Sequence, residues 1–177
     1  AETGLETDVA IRGGGFFLIQ PDTGGPALSR RGDFEVSNSG ELTDGAGSKI
    51  LDVNMNPINI GPYRKLIVSE NGDLFIEPLN EPEGTRQLAA TIGLTSGSEE
   101  PLTKDTDGEI RLVNGGVPDP DQNVVLSQGF IESSNVNAVE ELVDSLSQQR
   151  QFEINVKFIS LSEKIDEGGA SIMNLPN

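Results

Sequence analysis

The chain has 177 residues, enough for one good core or two modest ones, and its 29 acidic residues against 12 basic ones give a formal net charge of −17. No stretch concentrates lysine and arginine, which argues against a nucleic-acid backbone or an anionic membrane surface as partner. Cysteine, histidine and tryptophan are absent, which removes disulfide frameworks, thiolate zinc sites, the commonest general base and any Ser-His-Asp triad.

The N-terminus, Ala1-Glu2-Thr3-Gly4-Leu5, begins without Met and carries no signal-peptide pattern, so the chain is read as a fragment or processed form. No apolar run approaches the ~20 residues that span a bilayer, and membrane insertion is not expected. From Val9 to Ile131 short extended segments follow one another. Strands are predicted at Phe16 to Ile19, Ala27 to Ser29, Phe34 to Val36, Lys49 to Val53 and Pro57 to Ile60. Lys65 to Val68 and Asp73 to Ile76 form a hairpin through Asn71-Gly72, two residues that tolerate positive φ. Further strands are predicted at Gln87 to Leu94, Glu109 to Val113 and Asn123 to Ser127. Turn signals recur at Asp22-Thr23-Gly24-Gly25, Asn38-Ser39-Gly40, Asp44-Gly45, Asp107-Gly108 and Asn114-Gly115-Gly116. With no helix-length segments between strands, the pattern predicts a mainly β body, an antiparallel β-sandwich or an irregular barrel, over residues 1–131.

Residues 132–177 read differently. From Ser133 to Glu167 there is no proline and no glycine, and a helix from Asn137 to Glu167 would be about 45 Å long at ~1.5 Å per residue. Asn137 is the predicted N-cap with Glu140 three residues on, and Glu140, Glu141 and Asp144 suit the positive end of the macrodipole. Val139, Leu142, Val143 and Leu146 make one apolar stripe. After Arg150 there are two: Phe152, Val156, Ile159 and Ile154, Phe158, Leu161, Ile165. Positions two apart on a helix point about 200° from each other, so these stripes lie on opposite sides and call for partners on both.

Candidate chemistry is thin. Arg12-Gly13-Gly14-Gly15-Phe16 precedes a strand rather than a helix and lacks the Lys-Ser/Thr of a phosphate loop. Asp105-Thr106-Asp107-Gly108-Glu109 starts like a calcium loop, but Gly116 stands where the twelfth-position acid belongs. Arg31-Gly32-Asp33 matches an adhesion tripeptide within a predicted hairpin, and the pairs Glu99-Glu100 and Glu140-Glu141 read as solvated charge. No cofactor, metal or catalytic residue is expected. A non-catalytic β-rich ligand-binding or adhesin module is the alternative to an assembly protein; the single Tyr and absent Trp argue against its aromatic platform.

Two groups of residues carry a family resemblance. Asp8-Val9-Ala10-Ile11-Arg12-Gly13-Gly14-Gly15-Phe16-Phe17, then Leu28-Ser29-Arg30-Arg31-Gly32-Asp33-Phe34 with Ser39-Gly40-Glu41-Leu42, resemble the opening of the β domain of bacterial flagellar rod and hook proteins. Gln128-Gly129-Phe130-Ile131-Glu132-Ser133-Ser134-Asn135-Val136, followed by Glu140-Glu141-Leu142-Val143, Gln149-Arg150 and Phe152-Glu153, is similar to their C-terminal signature. Within the family, Pro62-Tyr63-Arg64-Lys65-Leu66 and the compact segment from Gly93 to Leu112 most resemble proximal-rod subunits, with distal-rod subunits next. The resemblance implies a β domain joined to a two-helix rod domain built from both chain ends, of which the N-terminal helix is absent from this sequence. It also implies export by the flagellar type III apparatus, a place in the basal-body rod, and partnership with other rod subunits and with itself. Val139, Leu142, Val143, Leu146, Arg150, Phe152, Val156 and Ile159 are then the expected assembly interface, while this piece alone is expected to be monomeric.

Overall fold

The computed structural model describes residues 1–97, 101–132 and 138–173. The chain divides into two compact units, Ala1–Ser133 and Ser134–Asn177.

In the first unit the strands are β1 (Val9–Arg12), β2 (Phe16–Gln20), β3 (Ala27–Ser29), β4 (Phe34–Val36), β5 (Leu42–Asp44), β6 (Lys49–Ile50), β7 (Tyr63–Val68), β8 (Asp73–Pro78), β9 (Gln87–Thr91), β10 (Leu94–Thr95), β11 (Leu102–Lys104), β12 (Ile110–Leu112) and β13 (Val125–Gln128). The largest sheet runs β11-β12-β3-β2-β6-β5-β4, with β10 also on β2; a second sheet is β7-β8-β9, and β1 pairs with β13. Every pairing is antiparallel. Of the two expected architectures the closed barrel does not form: the largest sheet ends at β4 and β11, and the three-stranded sheet at β7 and β9.

Strand β2 shows how the sequence produces this. Successive side chains alternate faces, so Phe17 and Ile19 enter the main core while Leu18 enters a smaller cluster with Leu28 and Leu51. A strand buried on both faces has to read as the continuous apolar run Phe-Phe-Leu-Ile. The main core also takes Phe34, Leu42 and Ile50 from the largest sheet and Leu66, Leu74 and Ile76 from the three-stranded sheet, so the two sheets share one apolar interior. The Phe17 and Phe34 rings meet edge to face at 5.1 Å.

Several expectations change. The strand expected from Gln87 to Leu94 is broken after Thr91: β9 stays in the three-stranded sheet, and β10 crosses to β2. The break lies at Gly93, where an added Cβ would be 2.7 Å from the Asp52 carbonyl oxygen, and the backbone there exchanges bonds with Leu18 and Leu51. Lys49 to Val53 keeps only Lys49–Ile50 as strand, and Pro57 to Ile60 contributes isolated bridges at Pro57 and Asn59. Strands β1, β5 and β11 are additions, since the sequence reading assigned no strand to Val9–Arg12, Leu42–Asp44 or Leu102–Lys104.

In the second unit α1 spans Ala138–Met173, 36 residues or about 54 Å. It runs past the expected end at Glu167, through Gly168 and Gly169. Extending an existing helix by one residue needs no new nucleus, and a glycine costs only about 1 kcal/mol. The expected N-cap Asn137 and the Ser133–Asn137 segment lie outside the described residues. No described helix is long and apolar enough to cross a membrane.

Candidate assembly surface

The second unit presents large apolar side chains to solvent. Leu142, Val143, Leu146, Phe152, Ile154, Val156, Phe158 and Ile159 are all exposed within the chain, from 48% at Val156 to 70% at Phe158. Phe152, Val156 and Ile159 lie on one side of α1, and Ile154 and Phe158 on the other. Arg150 is exposed and, four residues from both Leu146 and Ile154, lies on the side of α1 that carries Ile154 and Phe158. Seven of the eight expected interface residues therefore stand on the surface; Val139 lies in α1, with its side chain outside the described residues. An amphipathic helix ordinarily exposes its polar face and buries its apolar one, whereas α1 exposes apolar side chains on two sides.

In the first unit the two ends of the β body lie together. Strands β1 and β13 pair from Val9↔Gln128 to Arg12↔Val125, and the ladder continues outward through the Glu2↔Phe130 bridge. The Ala1 ammonium donates to the Ile131 carbonyl at 2.7 Å, and the Ile131 amide donates back to Ala1 at 2.9 Å. Three of the residues that carried the family resemblance, Gln128, Gly32 and Arg30, make contacts at this ribbon. Gln128 places its side-chain amide along the edge of β7: Oε1 accepts from the Val68 amide at 3.2 Å, and Nε2 donates to the carbonyls of Glu6 at 2.6 Å and Leu66 at 2.9 Å. Gly32 donates nothing but space. Its carbonyl accepts from the Val9 amide at 2.8 Å, and a Cβ there would fall 1.6 Å from the Val9 oxygen. Arg30 reaches across to Glu132 at 2.6 Å while holding the carbonyls of Gly15 and Gly13. Individual roles for Arg30, Gly32 and Gln128 were not legible in sequence; the signal available was their position in motifs at both ends of the chain.

The motifs weighed for chemistry resolve into structural contacts. Arg31 and Asp33 pair with each other, Nη2 to Oδ2 at 2.7 Å, and that hydrogen bond, opposed by partial burial, holds the Asp33 carboxyl below its ordinary pKa. The Asp105–Gly108 turn closes through the Gly108 amide on the Asp105 carbonyl at 3.0 Å. Its acids face Arg111, which is buried and bonds Asp105 Oδ2 at 3.2 Å, Asp107 Oδ1 at 3.0 Å, and the carbonyls of Gly25 and Pro26. Hydrogen bonding to Arg111 lowers the Asp107 pKa, whereas burial, reinforced by Asp107 and Asp44, raises that of Glu109. Arg12-Gly13-Gly14-Gly15 joins β1 to β2. Glu99 and Glu100 lie outside the described residues, as do the side chains of Glu140 and Glu141. Among the described residues no three or more His, Cys, Asp or Glu side chains form a group that could hold a metal. An open groove of about 550 Å³, lined by Val36, Ser37, Asn59, Ile60, Tyr63 and Leu79 among others, includes one titratable side chain, Tyr63, whose pKa burial raises.

Two family descriptions match the chain in order. Residues 10–76 match the flagellar hook protein FlgE/F/G D1 domain, and residues 127–172 match the C-terminal region of the flagellar basal body rod FlgEFG proteins. The second covers the Gln128 to Glu132 exit and nearly all of α1. Among curated proteins, the flagellar basal-body rod protein FlgG of Buchnera aphidicola subsp. Acyrthosiphon pisum is 32% identical over 171 residues, covering 93% of this chain and 64% of that protein. FlgG of Borreliella burgdorferi is 34% identical, covering 92% and 63%, and the basal-body rod protein FlgF of Rhizobium meliloti is 33% identical, covering 86% and 61%. The chain thus spans just under two thirds of the length of these relatives. FlgG and FlgF relatives come at overlapping identities, so the expected preference for a proximal-rod, FlgF-type member is not resolved. Nothing in the comparisons supports an adhesin. With both ends of the β body and the long helix matched in order, the chain belongs to the flagellar basal-body rod protein family.

Proposed function

We propose that this chain is a structural subunit of the flagellar basal-body rod that assembles through α1 and transmits torque without covalent chemistry. The observation that carries the reading is the apolar surface on two sides of α1, within the segment that matches the family's C-terminal region. Leu142, Val143, Leu146, Phe152, Val156 and Ile159 would pack on other rod subunits and on further copies of this chain. Polar positions such as Arg150 would set register, because a buried polar group is costly unless its partner is correctly placed. Val139 completes the first stripe in this reading. The meeting of Ala1 and Ile131 supports a second element: a segment preceding Ala1 would enter beside the residues that lead into α1, as a helix pair drawn from both chain ends requires. The proposed location is the basal body, reached by flagellar type III export, and the chain alone is proposed to be monomeric.

The test is motility in cells carrying the complete gene. Leu146→Asp and Val156→Asp each place a charge on one stripe, with a penalty of several kcal/mol if the site is buried in the assembly. Both are expected to abolish swimming at normal protein level and export. Normal swimming by both variants would remove the helix from the mechanism.

A further inference from the structure

The Arg30 fork is a strong contact to which the assembly reading gives no task. One guanidinium bonds three acceptors: Nε donates to Glu132 Oε2 at 2.6 Å, Nη1 to the Gly15 carbonyl at 2.8 Å and Nη2 to the Gly13 carbonyl at 3.0 Å. Arg30 follows β3 directly, Gly13 and Gly15 form the corner between β1 and β2, and Glu132 comes one residue before the end of the β unit at Ser133. We infer that Arg30 is a positioning residue for the exit of the chain toward α1, pinning Glu132 to the β1–β2 corner so that the ribbon's tip moves with the core sheet.

Half-exposed ion pairs contribute little by themselves, and the Glu132 side chain is 46% exposed. Here the two carbonyls fix the plane of the guanidinium, so its remaining donor is already aimed at the carboxylate and little freedom is lost on pairing. Beyond Gly129 the ribbon is otherwise held chiefly by reciprocal bonds between Ala1 and Ile131, and the last rung of a two-stranded ladder opens readily. A lysine could offer charge to Glu132 but not three donors in one plane.

This inference depends on the rod reading for its purpose, though its first test does not. In the 177-residue chain, residue-resolved hydrogen exchange should show Arg30→Ala accelerating the Ile131 and Thr3 amides about tenfold, a loss of order one charge-assisted hydrogen bond. The Leu18 and Leu51 amides, bonded inside the core to Gly93 and Leu18, should change less than about twofold, because local opening leaves the core ladder intact. Arg30→Lys should behave like the alanine variant. Unchanged exchange at Ile131 would overturn the inference, as would equal acceleration at Leu18 and Leu51, which would make Arg30 a contributor to global stability only. Rescue by lysine would remove the fork from the argument. In cells, Arg30→Ala at normal level and export should reduce swimming. Normal swimming by this variant would refute the positioning role while leaving the helix reading to stand or fall on Leu146→Asp.

Discussion

Gly32 offers a sharp test of the packing at the chain-end ribbon. Its φ lies outside the left-handed region, so alanine there meets no dihedral objection; the obstacle is the Val9 backbone, whose oxygen would sit 1.6 Å and whose carbonyl carbon 2.7 Å from the new Cβ. Both obstructing atoms are backbone, so relief requires β1 to move by more than 1 Å, about the shortfall from ordinary contact distance. Moving β1 breaks the Val9 amide bond to Gly32 and lifts Val9, which is completely buried, out of the core. Losing the bond costs about 1 kcal/mol and exposing the valine about 1.5–3 kcal/mol, giving roughly 3 kcal/mol for Gly32→Ala. For a unit of this size that is on the order of 10 °C in melting temperature. Two other glycines make the controls. Gly47 has open space around it but φ of +91°, so Gly47→Ala should lose about 1–2 kcal/mol from backbone strain alone. Gly61 has open space and an ordinary φ, and Gly61→Ala should fall within about 0.5 kcal/mol of the parent or be slightly more stable. Urea titration followed by the β-sheet signal gives all three values. A Gly32→Ala loss below that of Gly47→Ala would refute the packing argument.

Three further outcomes are expected. Deleting residues 137–177 should leave the β unit folded with a nearly unchanged urea midpoint; collapse of the truncated chain would refute its independence. In sedimentation at micromolar concentration the 177-residue chain should be monomeric, its net charge opposing self-contact, and a closed oligomer that survives loss of α1 would contradict this. Two carboxyls should give stability a readable pH dependence. Asp33 has a lowered folded-state pKa, so its contribution is present above the ordinary carboxylate value and disappears as pH falls through the folded one; Arg31→Ala should flatten that acid limb. Glu109 has a raised pKa, so its contribution is complete below the unfolded value and is lost as pH rises through the folded one; Glu109→Gln should therefore stabilise the unit at neutral pH, and an unchanged or lower midpoint would refute the sign.

The sequence carried local structure well and long-range contacts poorly, and particular residues show why. Asn71-Gly72 specifies its own turn, so the β7–β8 hairpin was readable from a dozen neighbouring residues. The uninterrupted stretch after Ser133 announced a helix, although its end was masked by glycines that cooperative extension tolerates. Leu42-Thr43-Asp44 went unread because three residues between two turn signals have no detectable period, and their strand exists only through pairing with β4 and β6. The doubly apolar helix was legible because periodicity within one element reveals it. The Arg30–Glu132 bond, between residues 102 positions apart, was not, since no local pattern encodes a contact that tertiary folding makes.

The meeting of Ala1 with Ile131 also fixes how the β body answers force. Opposed pulls applied at those two points would load the antiparallel ribbon one rung at a time from its open end, as a zipper is drawn, and each rung would fail before the next bore tension. Pulls in the same direction would load no rung and would carry the body along whole. If the chain assembles into a rod as proposed, the weakness of the ribbon in peeling restricts the directions from which neighbours can safely push.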